Sequence, residues 1–229
     1  MNVEDNIRHV REVMAEAARR SGRPSSAIRL MAVTKTVDDD RILAAMQTGV
    51  EIIGENYVQE AKRKIEKLGK AGEWHLIGRL QTNKARYAVY LFDMIHSVDR
   101  LELAAELDRR SRAAGRVIPI LIEVNVGGEE SKSGVPLNSA LDLVRLVAPL
   151  ENLSIRGLMT MPPWSDDPEE SRPYFRTLRV LRDKIAGEAI PRVEMRELSM
   201  GMTDDYAIAI EEGATIVRIG RGIFGERKG

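Results

Sequence analysis

Lys35 closes the apolar run Leu30-Met31-Ala32-Val33-Thr34, and at a spacing of two it shares a face with Met31 and Val33. A lysine held where water is partly excluded loses basicity and can attack a carbonyl carbon to form a Schiff base. The plainer alternative is a lysine that reaches solvent past a strand end. With only 9 lysines against 26 arginines, this chain more often supplies a bare positive charge as arginine. Towards the C-terminus, Ser199 and Gly201 precede a segment opening on Thr203 and Asp204, and Gly220 and Gly222 flank Arg221. Glycines let backbone amides approach an anion, and the start of a helix adds donors and a favourable dipole. That spacing suits a phosphate; two ordinary glycine turns are the alternative. Arg218 shares parity with Ile216 and Gly220, so it points inward if Ile216 does, and an inward guanidinium needs an acceptor. The acceptor could be a carboxylate such as Glu123, or a ligand nitrogen or phosphate. His75, between Trp74 and Leu76, reads as a satisfied core histidine. The three histidines, His9, His75 and His96, have no metal-ligand spacing.

These positions fall at the ends of short apolar runs covering residues 30–34, 50–54, 74–78, 94–98, 117–126, 155–161, 197–200 and 215–220. Helix-period sequence separates the runs, with Leu137, Leu141, Val144 and Ala148 marking one face and Tyr174, Leu178, Leu181 and Ile185 another. Ile7, Val10, Met14, Ala17 and Ala18 form the face of an opening helix that Ser21-Gly22-Arg23-Pro24 ends. Asp99 with Glu102 reads as a capping box. The lysines and arginine of the helix over 57–68 (Lys62, Arg63, Lys64, Lys67) read most simply as a solvated face, with a partner surface as the alternative. Strands alternating with helices imply βαβ units on a parallel sheet. The expected class is α/β, a single (β/α)8 TIM-type barrel with an extra N-terminal helix, one domain over residues 1–229. A doubly wound sheet fits less well, because no G-x-G-x-x-G follows the first strand. In a barrel the strand C-termini form the functional face, and phosphate sites recur after strands seven and eight.

Composition narrows the classes further. The 35 basic residues balance 35 acidic ones, which argues against a protein held to nucleic acid or a membrane surface by bulk charge. No run approaches the ~18 apolar residues of a membrane span, and Met1-Asn2-Val3-Glu4-Asp5 does not look like a signal peptide, so a cytoplasmic protein is expected. With no cysteine, disulfides, thiolate metal sites and cysteine nucleophiles are excluded.

The same stretches carry a resemblance. Ala32-Val33-Thr34-Lys35-Thr36, Gly54-Glu55-Asn56-Tyr57-Val58-Gln59-Glu60, Trp74-His75-Leu76-Ile77-Gly78 and Leu80-Gln81-Thr82-Asn83-Lys84 resemble the pyridoxal 5′-phosphate homeostasis proteins, which share the barrel of the alanine racemase N-terminal domain. So do Ser131-Lys132-Ser133-Gly134, Gly157-Leu158-Met159-Thr160-Met161, Leu198-Ser199-Met200-Gly201-Met202, Val217-Arg218-Ile219-Gly220 and Ile223-Phe224-Gly225-Glu226-Arg227. They run in order from residue 32 to the C-terminus, and together they are specific.

The resemblance implies that pyridoxal 5′-phosphate is held as an aldimine on Lys35. It further implies that Ser199 and the backbone around Gly220, Arg221 and Gly222 bind the phosphate, and that Arg218 faces the pyridine nitrogen. Asn56 would lie beside the ring, with Met200 and His75 near it. The family usually has Thr or Ser where this chain has Arg221, so a hydroxyl contact is lost there and a guanidinium could replace it. An arginine only donates, so it favours an unprotonated ring nitrogen and a weak electron sink, which argues against transamination or decarboxylation. Racemisation survives that test, because alanine racemase looks the same at this position, but that enzyme adds a second β-domain and a catalytic tyrosine across a dimer interface. The expected barrel uses up all 229 residues. The expected role is therefore a carrier that sequesters the cofactor and hands it transiently to apo-enzymes. The working unit would be a monomer with no nucleic-acid or membrane partner. Lys84 and Lys132, on loops near the mouth, are either participants in transfer or solvent-facing. An amino-acid racemase on the same cofactor and a Schiff-base aldolase acting on a sugar phosphate are the alternatives.

Overall fold

A computed structural model describes residues 2–129 and 132–226. Among the motif residues above, Ser131 and Arg227 lie outside the described set, as does Met1. The chain opens with α1 (Val3–Arg20) and then alternates: β1 (Arg29–Val33), α2 (Asp39–Gln47), β2 (Ile52–Glu55), α3 (Val58–Leu68), β3 (Glu73–Leu76), α4 (Ala85–Leu91), β4 (Met94–Val98), α5 (Leu101–Ala113) and β5 (Ile118–Asn125). A two-residue strand, β6 (Val135–Pro136), precedes α6 (Ala140–Val147). Then follow β7 (Leu153–Met159), α7 (Arg172–Gly187), β8 (Val193–Ser199), α8 (Tyr206–Glu211), β9 (Ile216–Ile219) and α9 (Arg221–Phe224).

All pairings are parallel, and β4 pairs with β5 to close the ring, while β6 only extends β5 at its end. The result is a closed eight-stranded (β/α)8 barrel with α1 as an addition before the first strand. Every expected strand is present, shifted by a few residues; the largest shift is β8, which begins at Val193 rather than 197. Its first half alternates with charged residues that pair across the sheet, Arg156 with Glu194 at 2.8 Å, and this hid it from a search for apolar runs.

Apolar packing divides into an outer layer between strands and helices and small clusters inside the ring. Met31, Ile52 and Ile216 form one inner cluster, joined by Ile77, and Met94, Leu121 and Met159 form another. Ile216 therefore faces inward, and Arg218 with it, as parity requires. The outer layer takes Ile7, Val10, Met14, Ala17 and Ala18 of α1.

Three local expectations are corrected. Asp99 and Glu102 do not form a capping box: α5 starts at Leu101 behind Arg100, which makes no side-chain cap, and Asp99 instead accepts from Arg100 at 2.6 Å. α6 buries Ala140, Leu143, Val144 and Val147 rather than the face through Leu137 and Leu141. In so apolar a segment two neighbouring faces are equally greasy, and the barrel wall chooses between them. In α7 the buried face starts at Phe175, not Tyr174.

Candidate functional site at the C-terminal mouth of the barrel

Thr34 and Val37 close a turn, Val37 N donating to Thr34 O at 3.0 Å, with Lys35 and Thr36 at its corners. Lys35 is half-buried, and Thr36 adopts a left-handed backbone at φ 62°. The turn is held from below by a lysine that sequence reasoning placed in solvent. Lys64, on α3, is fully buried, and its Nζ donates to Thr34 O at 2.5 Å, to Glu55 Oε1 at 2.6 Å and to Glu60 Oε1 at 2.7 Å. Glu55 Oε1 also accepts from the Thr34 hydroxyl at 2.5 Å, and Glu60 Oε1 from the Thr36 amide at 2.7 Å. Residues on both sides of Lys35 are thus tied to one buried ion pair. Arg63 and Lys67 keep the exposed role expected of them, pairing with Asp39 at 3.2 and 2.6 Å.

Arg218 is 3% exposed and donates to Ser199 Oγ and to Thr160 O, both at 2.8 Å. Burial draws its guanidinium down to about 10, against the pull of the Asp205 and Glu123 charges, and at neutral pH it remains a cation. Glu123 acts on it through charge, while the hydrogen bonds go to Ser199 and Thr160. Burial and the nearby Asp99 raise the Glu123 carboxyl to about 7, against Arg218 and Arg79.

A cavity of about 300 Å³ opens beside Arg218, lined also by Val33, Thr203, Gly220 and Arg221. That volume is at the lower end of the range for small-molecule sites, roughly 300–1,000 Å³. Lys35 follows Val33 by two positions along the same strand end. The Arg221 side chain lies on the rim, donating to Asp204 at 2.7 Å with Glu226 3.4 Å away. It cancels carboxylate charge that would otherwise repel an anion. The Gly222 amide donates to the Thr203 hydroxyl at 3.2 Å, which leaves that hydroxyl's own proton free for a ligand acceptor. A Cβ at Gly222 would sit 2.9 Å from Ile219 Cγ2 and 3.3 Å from Thr203 Cγ2, so only glycine lets these segments meet. Thr203 and Asp204 lie in the turn before α8 rather than in its first turn.

The other sequence candidates are placed less directly. Ser199 is fully buried and its hydroxyl is shared between Arg218 and His96 Nδ1, the latter at 3.0 Å, so the side chain faces the barrel interior. Met200 is fully buried in the outer apolar layer. Asn56 lines a second cavity of about 590 Å³, whose lining also includes Arg79, Lys84 and Arg100. A Cβ at Gly78 would run into the Asn56 carbonyl, which explains the glycine after that strand. Lys132 is exposed, its amide donating to Glu129 O at 3.0 Å. His75 is a core histidine as read, between His96 Nε2 and Glu73 Oε2, each at 3.0 Å. No signal in the spacing pointed to Lys64, Thr160 or His96. Among the described residues no cluster could hold a metal ion, and no helix is long and apolar enough to cross a membrane.

Comparison with known proteins gives a consistent answer. Residues 2–228 match the family model described as "Alanine racemase, N-terminal domain". A pyridoxal phosphate homeostasis protein of Aquifex aeolicus is 45% identical over 229 residues, covering 100% of both chains. A crystal structure of an unknown protein from Bifidobacterium adolescentis superposes with a TM-score of 0.92 at 39% identity, over 97% of this chain and 94% of that one. PipY of Synechococcus elongatus, solved with PLP bound, gives 0.81 at 36% identity, over 93% of this chain and 100% of that one.

Proposed function

We infer the role of this chain from its family: it belongs to the pyridoxal phosphate homeostasis proteins and carries the alanine racemase N-terminal domain. Our reading is that it binds pyridoxal 5′-phosphate at the barrel mouth, covalently through Lys35, and releases it to apo-enzymes without strong catalysis of its own. Pyridoxal phosphate supplies an electrophilic aldehyde, a phosphate anion and a pyridine ring that acts as an electron sink when its nitrogen is protonated. The donor set suits each of these groups. Lys35 offers the amine, the turn around Thr203 and residues 220–222 offers donors to phosphate, and Arg218 offers a cation to the ring nitrogen.

The observation that carries the reading is the buried Arg218 lining the cavity between the Val33 strand end and Gly220. A permanently charged donor opposite the ring nitrogen keeps that nitrogen unprotonated, so transamination and decarboxylation of a bound amino acid are poorly supported. Storage and delivery need only the amine and the anion grip. Ser199 serves the ligand indirectly, by holding Arg218, and Asn56 flanks the ring. The Thr203 hydroxyl takes over the phosphate contact that Arg221 does not make. We further propose that residues 1–229 act as a single domain and that the working unit is a cytoplasmic monomer.

The test is spectroscopic. Protein loaded with pyridoxal phosphate should absorb near ~420 nm, as Schiff bases of this cofactor do, and bleach with borohydride. Mass spectrometry should then place the reduced adduct on Lys35, and Lys35→Ala should lose both signals. A colourless loaded protein, or an adduct confined to another lysine such as Lys84 or Lys132, overturns the assignment. Incubating the loaded protein with L-alanine in deuterium oxide separates carrier from racemase, because deuterium appearing at Cα at an enzyme-like rate means catalysis.

A further inference from the structure

Four hydrogen bonds cross the barrel interior from its N-terminal end to Arg218. Glu73, the first residue of β3, has a side chain 46% exposed and accepts from Arg29 at 2.7 Å. Its other oxygen lies 3.0 Å from His75 Nε2; His75 Nδ1 lies 3.0 Å from His96 Nε2; and His96 Nδ1 lies 3.0 Å from Ser199 Oγ. Arg218 completes the row by donating to Ser199 Oγ at 2.8 Å. Both imidazoles are fully buried.

The chemistry at one end fixes every proton in the row. An ionised carboxylate only accepts, so His75 must donate from Nε2. A neutral imidazole that donates from one nitrogen accepts at the other, so His75 Nδ1 accepts and His96 Nε2 donates. By the same rule His96 Nδ1 accepts, and the Ser199 hydroxyl must donate to it. Its oxygen then turns its lone pairs to Arg218. We propose that Glu73 is a positioning residue for Arg218: through His75, His96 and Ser199 it sets the single hydrogen-bond direction in which Ser199 receives the guanidinium.

The charge states required are those the interior favours. The His75 hydrogen bond, with Arg29, draws Glu73 down to about 2 despite partial burial. Burial holds His75 below the ordinary histidine range in spite of Glu73 and Asp93, with Arg29 adding to the lowering. Burial holds His96 well below it, helped by repulsion from His75, Arg218 and Arg29. The charges of Asp205 and Glu123 act on Arg218 in the opposite sense to burial, and the guanidinium stays charged. Were His75 protonated, both its nitrogens would donate, the row would reverse, and Ser199 would have to accept from His96 and Arg218 together.

The consequence for bound pyridoxal phosphate rests on the reading of Arg218 given above, whereas the row itself can be read in ligand-free protein. Nitrogen-15 NMR of wild type at neutral pH should show both rings protonated at Nε2 and bare at Nδ1. In Glu73→Gln, whose amide can donate as well as accept, His75 and His96 should both become tautomer mixtures and the Arg218 side-chain N–H signals should move. Glu73→Asp, which keeps the carboxylate, should restore the single tautomer, and circular dichroism checks that each variant is folded. With Ser199→Ala in place, Glu73→Gln should no longer move Arg218, since the last link is gone. The proposal is overturned if Glu73→Gln disturbs His75 alone, or if wild-type rings carry their protons on Nδ1. In loaded Glu73→Gln the absorption band of the bound cofactor should shift. A row that responds in the ligand-free protein with no shift in the loaded one upholds the positioning and sinks the placement of Arg218 at the ring nitrogen.

Discussion

At the scale of single residues, the mouth of the barrel holds groups in states they would not adopt in water. Thr36 sits at φ 62° immediately after Lys35, a conformation that costs a β-branched residue on the order of 1–3 kcal/mol. It persists because the Thr36 amide is bonded to Glu60 and the turn is closed behind it. Glu123 is a second case, 3% exposed and raised to about 7 by burial. An unfolded glutamate ionises near 4.5, so between 4.5 and 7 the unfolded chain has already shed the proton that the folded state keeps. Stability therefore falls as pH rises through that window, by about 3 kcal/mol in all at roughly 1.36 kcal/mol per pH unit. Glu123→Gln should remove this loss, so the variant gains on wild type between pH 5 and pH 8 in urea unfolding. Parallel stability at the two pH values would contradict the assignment.

At the scale of elements, α3 works as a clamp on the loop after β1. Its Lys64 enters the space between α3 and the barrel wall and satisfies Thr34 O, Glu55 and Glu60 together. Burial still pushes the Glu55 carboxyl upward against the pull of Lys64, and its second oxygen, Oε2, is buried without a hydrogen-bond partner. The pair therefore contributes placement more than net stability, because desolvation offsets most of the attraction. Removing one member is another matter, since an uncompensated charge is left inside. Lys64→Met should lower unfolding free energy by about 3–5 kcal/mol in urea titration. A loss below ~1 kcal/mol, the range of an exposed pair, would mean that the clamp is not formed.

At the scale of the whole molecule, the side of the mouth formed by the ends of β8 and β9 is braced from outside the barrel. α1 lies against α8 and α9. Asn6 Nδ2 donates to Ile223 O at 2.8 Å, and Arg20 pairs with Glu211 at 2.7 Å. Glu212 beside it, 4% exposed, receives Arg176 at 2.8 Å and Arg172 at 3.3 Å, which joins α7 to the same corner. Ile7 is 1% exposed in this contact, and Ile7→Ala should cost about 2–5 kcal/mol in unfolding experiments by leaving a cavity. An unchanged midpoint would show that α1 is not part of the cooperative unit.

The order of residues alone determined the alternation of strand and helix, the inward parity of Arg218 with Ile216, and the position of Lys35 at a strand end. Those features follow from periods of 2.0 and 3.6, which are local properties of the backbone and need no partner to be read. Ring closure decided the rest. His75 and His96, 21 positions apart, meet because β3 and β4 pair side by side, whereas His96 and Ser199, 103 apart on β4 and β8, come within reach only because the sheet closes on itself. Lys64 looked like one more charge on a basic helix, and its burial depends on Glu55, on β2, and on Thr34, just past the end of β1. A side chain's type and spacing say what it is able to do; whether it meets water or another group is settled by elements far along the chain, because desolvation and hydrogen bonding act over a few ångströms of space rather than along the sequence.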